Sequence, residues 1–178
     1  QLMLAELDGP LTADQRTDLR AVLAAGNHLL ALIDNILKFS ASGSVSLHLS
    51  RFSLPHLLEQ AANHVRPLAF QRNVQLVIDS GDVGEVCADE TKLKQVLINL
   101  LHNAVKYTPA GTRVEMRAGY GADRFWVEVT DEGPGIPEDD RERIFEPFER
   151  GREGQGREPK EFKGLGLGLA VVRRYVEA

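Results

Sequence analysis

Hydrophobic residues recur at every third or fourth position over residues 12–39, which predicts a long amphipathic helix. Gln15 follows Thr12 by three residues, so the two are expected to form a capping box at its start. The apolar stripe consists of Leu19, Val22, Leu23, Leu29, Leu30, Ile33, Ile36 and Leu37. Residues 1–10 contain the end of an earlier helix and an Asp-Gly-Pro turn, which favours a helical hairpin. An ordinary helix packed on its own domain would show the same stripe.

Strand-like and helix-like segments alternate after a small, polar linker at residues 40–46. The predicted strands are residues 45–49, 74–78, 84–88, 112–118 and 124–130, the last two as an antiparallel pair. The predicted helices are residues 54–70, residues 89–107, a short one after Pro137 and a last one starting within residues 164–168. Pro67 should end or kink the first of these late in its length. The pattern predicts a partial hairpin at residues 1–42 and a two-layer α/β domain at residues 43–178.

Composition narrows the class of protein. With 178 residues and 43% hydrophobic residues, the chain can form a packed domain plus an additional element. Its net charge of -5 provides no basic surface, so nucleic acid is not an expected partner. Cys87 is the single cysteine, which excludes an intramolecular disulfide and suits the cytoplasm. No apolar run has the ~20 residues of a membrane span, so no membrane contact is expected of this segment, although its parent can be membrane-anchored.

Two asparagines and a lysine share one face of the helix predicted at residues 89–107. Asn99 and Asn103 are four residues apart and Lys106 follows three later, beside an apolar stripe that must face a core. Amide oxygens can ligate a hard cation such as Mg²⁺ when phosphates and waters complete its shell. A solvated polar edge without any ligand would carry the same residues.

Two glycine-containing segments lie further along the chain. Asp131-Glu-Gly-Pro-Gly-Ile-Pro137 follows a predicted strand, where a carboxylate can accept a hydrogen bond from an exocyclic amine and glycines allow close approach. Gly164-Leu-Gly-Leu-Gly-Leu169 opens the last helix, whose N-terminus suits a polyphosphate. No Gly-Lys-Ser/Thr follows, so this is not a Walker loop. A strand-end turn and a flexible hinge are the respective alternatives.

Phe145 and Phe148 lie just before a charged, glycine-rich segment at residues 149–163. Aromatic residues in that place are either plain core residues or anchors of a lid that closes on a nucleotide.

Taken in order, these motifs resemble the catalytic domain of sensor histidine kinases, in the superfamily shared with gyrase, Hsp90 and MutL. The segment DETKLKQVLINLLHNAVKYT resembles the N box, DEGPGIP the G1 box, FEPF the F box and GLGLGLAVV the G2 box, all within about 80 residues. The segment LLALIDNILKFS is similar to the second helix of the family's dimerisation hairpin. The resemblance implies the Bergerat (GHKL) fold, an α/β (α+β) two-layer sandwich with helices on one face of a mixed sheet.

The resemblance also implies roles for individual residues. Asn103 matches the magnesium-binding asparagine, Asp131 matches the aspartate that reads adenine, and Lys106 and Tyr107 match positions that contact phosphates and nucleotide. The other implied nucleotide-binding residues are Gly133, Gly135, Ile136, Phe145, Phe148, Gly164, Leu165, Gly166, Leu167, Gly168 and Leu169. Asn99 and Lys106 are the implied catalytic residues. Asn99 stands where hydrolytic relatives carry a water-activating glutamate, and an amide takes up no proton near neutral pH, which favours a kinase over a hydrolytic ATPase.

The implied reaction is transfer of the γ-phosphoryl group of ATP, with Mg²⁺, to a histidine nitrogen, and then relay to the receiver domain of a response regulator. The acceptor histidine of the family lies on the first hairpin helix, in a context that none of the five histidines of this chain matches. It is therefore expected before Gln1, on the chain's own hairpin or that of a partner in a homodimer. Family members also continue beyond the G2 helix into two further strands, which this chain lacks.

Two other functions fit parts of the sequence. A regulatory module that binds ATP or ADP without transferring phosphate would be expected to have a damaged site, whereas Asn103, Asp131 and the G2 glycines are all present. A dimerisation scaffold for another kinase would use the helix at residues 12–39, and this function is compatible with the kinase.

Overall fold

The computed structural model describes residues 11–12, 14–19, 22–23, 26, 45–122, 124–149 and 166–178. The chain divides into two compact units, Gln1–Gly43 and Ser44–Ala178. In the first unit, residues 14–19 are helical and the predicted capping box is present. The Thr12 N–H donates to Gln15 Oε1 at 3.0 Å, and the Gln15 N–H donates to Thr12 Oγ1 at 3.2 Å. The predicted hairpin otherwise lies largely outside the described residues.

The second unit alternates strands and helices. Its described elements are β1 (Ser50–Ser53), α1 (Leu54–Gln71), β2 (Gln75–Asp79), β3 (Glu85–Ala88), α2 (Glu90–Tyr107), β4 (Arg113–Tyr120), β5 (Phe125–Asp131) and α3 (Gly168–Val176). Strands β1 and β3 pair antiparallel, while β2, β4 and β5 form a mixed sheet in that order. In this sheet β2 runs parallel to β4 and β5 antiparallel to it, with Val114 opposite Asp131 and Tyr120 opposite Phe125.

One face of the mixed sheet is covered by α1 and α2. Val114, Met116 and Ala118 of β4 are buried, whereas Arg113 and Arg117, which alternate with them, are exposed. The buried face joins a core that includes Leu54, Leu57, Leu58, Ala61, Val65, Leu97, Leu101 and Val105 from the two helices. The predicted two-layer α/β architecture is therefore confirmed.

One predicted strand is wrong. Residues 45–49 are not a strand, because the backbone N–H of His48 donates to the Asp89 carboxylate at 2.9 Å, and pairing with β3 begins only at Ser50. Pro67 lies inside α1, which ends at Gln71, one residue beyond the predicted end at residue 70. Val65 and Ala69, on either side of the proline, are 2% and 3% exposed, so packing holds this last turn in place despite the missing N–H.

The short helix expected after Pro137 is replaced by two 3-10 turns, Glu138–Asp140 and Arg143–Phe145. Within the part of the chain that the structure describes, no helix is both long and apolar enough to cross a membrane.

Candidate functional site

Helix α2 begins at a well-defined cap. The side chain of Asp89, which is 7% exposed, accepts the Lys92 N–H at 3.0 Å through Oδ1. Its Oδ2 accepts the Lys92 ammonium at 2.6 Å and the His48 N–H at 2.9 Å. The Lys92 hydrogen bond first, and then the His48 hydrogen bond, hold the pKa of Asp89 well below its usual value. This cap sets the first turn of α2, the helix that carries Asn99 and Asn103.

The two asparagines of α2 lie beside the start of α3. Asn99 Nδ2 donates to the backbone carbonyl of Gly168 at 3.1 Å. A Cβ added to Gly168 would lie 3.9 Å from Asn103 Nδ2 and 3.9 Å from Asn99 Cγ. The structure therefore brings Gly168 next to Asn99, which lies 69 residues earlier in the sequence, and next to Asn103. The side chain of Asn103 makes no hydrogen bond to another described residue, so its amide oxygen can bind a ligand.

Lys106 is enclosed at the far end of the same helix. Its side chain is only 7% exposed, and its ammonium donates to the Tyr107 hydroxyl at 3.2 Å. The ammonium also lies 4.8 Å from the centre of the Tyr107 ring. Desolvation lowers the pKa of His102, one turn earlier, and the charge of Lys106 lowers it further. A cation so shielded from water attracts anions such as phosphate more strongly than one at the surface.

The segment after β5 turns back towards the end of α2. Asp131 Oδ1 accepts the Gly133 N–H at 2.8 Å, which closes a small turn. A Cβ on Gly133 would lie 2.6 Å from that oxygen and 3.2 Å from the Tyr107 carbonyl oxygen, so a larger residue would have to displace the Asp131 carboxylate. Gly135 has φ +73°, with open space where a side chain would be, and Ile136 is 47% exposed. The loop thus places the Asp131 carboxylate near the end of α2 and leaves room beside Gly135.

The F-box and G2 segments contact each other through their backbones. The Phe148 N–H donates to the Gly166 carbonyl at 3.1 Å, and Phe148 itself has φ +65°. A Cβ on Gly166, which has φ +73°, would lie 2.8 Å from the Glu149 carbonyl oxygen. Leu167 is buried next to this contact, while Leu169 and Phe145 are half-buried and Phe148 is exposed. The predicted site residues Gly164 and Leu165, and most of the predicted lid, lie outside the described residues.

Two contacts were not anticipated from the sequence. Gln95 Nε2 donates to Asn99 Oδ1 at 3.1 Å, four residues further along α2. Arg143 pairs with Glu149 at 2.8 Å and with the buried Asp140 at 3.6 Å, which links the two 3-10 turns to the segment that follows them. Helical spacing could have indicated the Gln95 contact, since residues four apart are neighbours, but no local pattern indicates the one at Arg143.

An open cleft of about 440 Å³ lies at the other end of the sheet. It is lined by Glu85, Val86, Cys87, Tyr120, Gly121, Ala122, Arg124 and Phe125. Because Tyr120 and Val114 are six residues apart on β4, the cleft is roughly 20 Å from the Asp131 end. It includes none of the predicted site residues, and the convergence of side chains around α2 is the stronger indication of a functional site.

The family model, the curated relatives and the solved structures that match this chain all indicate the same family. Residues 88–178 match the model of the histidine kinase-, DNA gyrase B- and HSP90-like ATPases. The chain is 39% identical over 175 residues to the circadian input-output histidine kinase CikA of Synechococcus elongatus, covering 95% of this chain and 23% of that protein. It is 39% identical over 191 residues to the sensor histidine kinase AruS of Pseudomonas aeruginosa, covering 99% of this chain and 18% of that protein. The chain thus spans about a fifth of the length of these curated relatives.

A solved structure shows the same likeness in three dimensions. Full-length ShkA, crystallised in complex with AMPPNP, matches 97% of this chain and 35% of its own with a TM-score of 0.80 at 33% identity. The catalytic domain of histidine kinase ThkA, in a nucleotide-free form, matches 73% of this chain and 81% of its own with a TM-score of 0.60 at 28% identity.

Proposed function

Because this chain belongs to the family of histidine kinase-, DNA gyrase B- and HSP90-like ATPases, as the catalytic domain of a sensor histidine kinase, we propose that it binds ATP with Mg²⁺ and supplies the γ-phosphoryl group to a histidine outside residues 1–178. The observation that carries this proposal is the approach of Gly168, at the start of α3, to the side-chain amides of Asn99 and Asn103. A helix N-terminus next to a free amide oxygen suits a phosphate chain with its metal ion.

The donor set fits magnesium bound to a nucleotide. Mg²⁺ is usually held by few protein ligands, with phosphate oxygens and waters in the remaining positions. Asn103 would supply one amide oxygen, and the N-terminal N–H groups of α3, which receive no side-chain cap, would donate to phosphate oxygens. When bound, the metal would neutralise charge on the phosphates.

The other residues divide into two groups in this proposal. Asp131 accepts the exocyclic amine of the base through the oxygen that Gly133 does not use, while Gly135 and Ile136 border the base. Lys106 and Tyr107 contact the phosphates and the sugar from the end of α2. Gly166, Leu167 and Leu169 lie at the start of α3, and Phe145 and Phe148 precede the proposed lid. Nucleotide binding is also proposed for Gly164 and Leu165, which lie outside the described residues.

An amide at position 99, where a hydrolytic enzyme needs a base, fits phosphoryl transfer to histidine. Asn99 donates one hydrogen bond and accepts another, and an amide does not take up the proton of an attacking water near neutral pH. Imidazole is nucleophilic without such help, so positioning and charge neutralisation are sufficient. ATP is thereby withheld from water until the acceptor histidine arrives.

The partners of the whole protein follow from the same proposal. The acceptor histidine belongs to a helical hairpin of the same subunit or of the second subunit of a homodimer, and the phosphoryl group is passed on to the receiver domain of a response regulator. The reaction takes place in the cytoplasm.

Calorimetry of the full chain with the ATP analogue AMPPNP, with and without Mg²⁺, tests the proposal. We expect saturable binding that Asp131→Asn weakens and whose metal dependence Asn103→Asp alters. Asp79→Asn is a matched control, because Asp79 Oδ1 accepts the Gly81 N–H at 3.0 Å in the same kind of turn, at the end of β2. A folded chain that binds no nucleotide would refute the site and would favour a scaffold function.

A further inference from the structure

Two side-chain amides and one carbonyl form a continuous hydrogen-bonded chain from α2 to α3. Gln95 Nε2 donates to Asn99 Oδ1 at 3.1 Å, and Asn99 Nδ2 donates to the Gly168 carbonyl at 3.1 Å. Both side chains are half-buried. Building on the proposed function, we propose that Gln95 is a positioning residue, which fixes the orientation of the Asn99 amide and so holds the N-terminus of α3 against the phosphates of the nucleotide.

The direction of this chain follows from chemistry alone. The Gly168 carbonyl can only accept a hydrogen bond, so Asn99 must present its NH2 group to it. The Asn99 oxygen then faces Gln95, which must donate in turn. Gln95 therefore prevents the Asn99 amide from rotating by half a turn. That rotation would place the Asn99 side-chain oxygen against the Gly168 carbonyl oxygen.

The location makes this orientation important for phosphate binding. Asn99 contacts the first residue of α3, and the same residue lies beside Asn103, the proposed magnesium ligand. The partial positive charge of a helix N-terminus acts over short distances, so a displacement of α3 weakens its attraction for phosphate. The base, held at the end of α2 and in the turn after β5, is not affected directly.

A purely structural contact would behave differently. Surface side-chain pairs four residues apart in a helix contribute only a few tenths of a kcal/mol to the free energy of unfolding. Such a contribution would not change the selectivity for one ligand over another. The distinguishing quantity is therefore the ratio between the affinities for a triphosphate and for adenosine, which lacks the phosphates.

The experiment is calorimetry of the full chain with Mg²⁺-AMPPNP and, separately, with adenosine. Gln95→Met keeps the length and helix preference of the side chain but cannot donate. We expect it to weaken AMPPNP binding about fivefold, as for one hydrogen bond, and adenosine binding less than twofold. Gln95→Glu should cost more, about tenfold or above, because its carboxylate attracts the Asn99 NH2 and turns the Asn99 oxygen towards Gly168.

Control variants distinguish the positioning role of Gln95 from the proposed function of the chain as a whole. Gln71→Met, at the exposed end of α1, should change neither affinity. In the background of Asn99→Ala, the further change Gln95→Met should have no effect, because Gln95 acts through Asn99. An unchanged affinity ratio in both Gln95 variants, or additive losses in the double variant, would overturn the role of Gln95. A wild-type chain that binds neither AMPPNP nor adenosine would instead overturn the proposed function itself.

Discussion

Gly166 has two independent reasons to be glycine. Its φ of +73° lies in the region that residues with a side chain avoid, and an added Cβ would lie 2.8 Å from a backbone oxygen of Glu149. Neither a rotamer change nor a flexible neighbour can relieve a contact between two backbone segments.

We expect Gly166→Ala to lower the free energy of unfolding by about 1–3 kcal/mol, since both the strain and the close contact are confined to the folded state. Gly84→Ala is the matched control. No atom lies within 4 Å of a Cβ added at Gly84, so a change within about 0.5 kcal/mol is expected there. Urea unfolding followed by far-ultraviolet circular dichroism measures both variants. Equal stability of the two variants would contradict the geometry described at Gly166.

At the scale of elements, the start of α2 is held by the cap at Asp89. One carboxylate ties the helix start to Lys92 and to the segment before β1. Because the pKa of Asp89 is lowered in the folded chain, the native state binds fewer protons there than the unfolded state does. The stabilisation is complete above the ordinary pKa of about 4 and is lost as the pH falls from there towards the folded value.

Asp89→Asn should therefore flatten the pH dependence of unfolding while keeping the helix cap, since an asparagine oxygen can still accept the Lys92 N–H. Asp89→Ala should remove the cap as well and cost about 1–3 kcal/mol near pH 7. Urea unfolding from about pH 3 to pH 7 tests both expectations. If wild type and Asp89→Asn lost stability in parallel below about pH 4, the carboxylate would not be the source.

The elements could be predicted from the sequence wherever local signals and packing agree. The two helices of the site were predicted correctly. The signals were the cap at Asp89 and the apolar stripe for α2, and the glycines that precede α3. Residues 45–49 alternate like a strand, but a distant carboxylate takes up the His48 N–H. Pro67 is tolerated because of tertiary packing on both sides. The hydrogen bond from Asn99 to the Gly168 carbonyl spans 69 residues, and no local pattern reveals it.

At the scale of the whole molecule, the second unit is stabilised by helices α1 and α2 packed on one sheet face. Leu101 is fully buried in that core, whereas Phe70, near the end of α1, is 89% exposed. The two side chains are of similar size and apolar character, so their positions alone should decide what they contribute.

Leu101→Ala should destabilise the folded state by about 2–5 kcal/mol, because it leaves a cavity, while Phe70→Ala should change it by no more than about 0.5 kcal/mol. Trp126 is the single tryptophan and lies on β5, so its fluorescence follows the unfolding of the sheet directly. A similar shift of the urea midpoint in both variants would show that burial of Leu101 in the core does not stabilise the folded state more than the exposed Phe70 does.

The turn after β5 has a consequence, within the proposed function, for which nucleobase the site accepts. Asp131 is already tied to the Gly133 N–H, so its carboxylate is ordered before any ligand arrives, and binding a base requires little further loss of side-chain entropy. The remaining oxygen can only accept. In the proposed site, an amino group at the sixth position of a purine satisfies it, whereas a carbonyl there, as in guanine, would bring two acceptors together. In the proposed function, the turn between Asp131 and Gly133 therefore favours adenine over guanine.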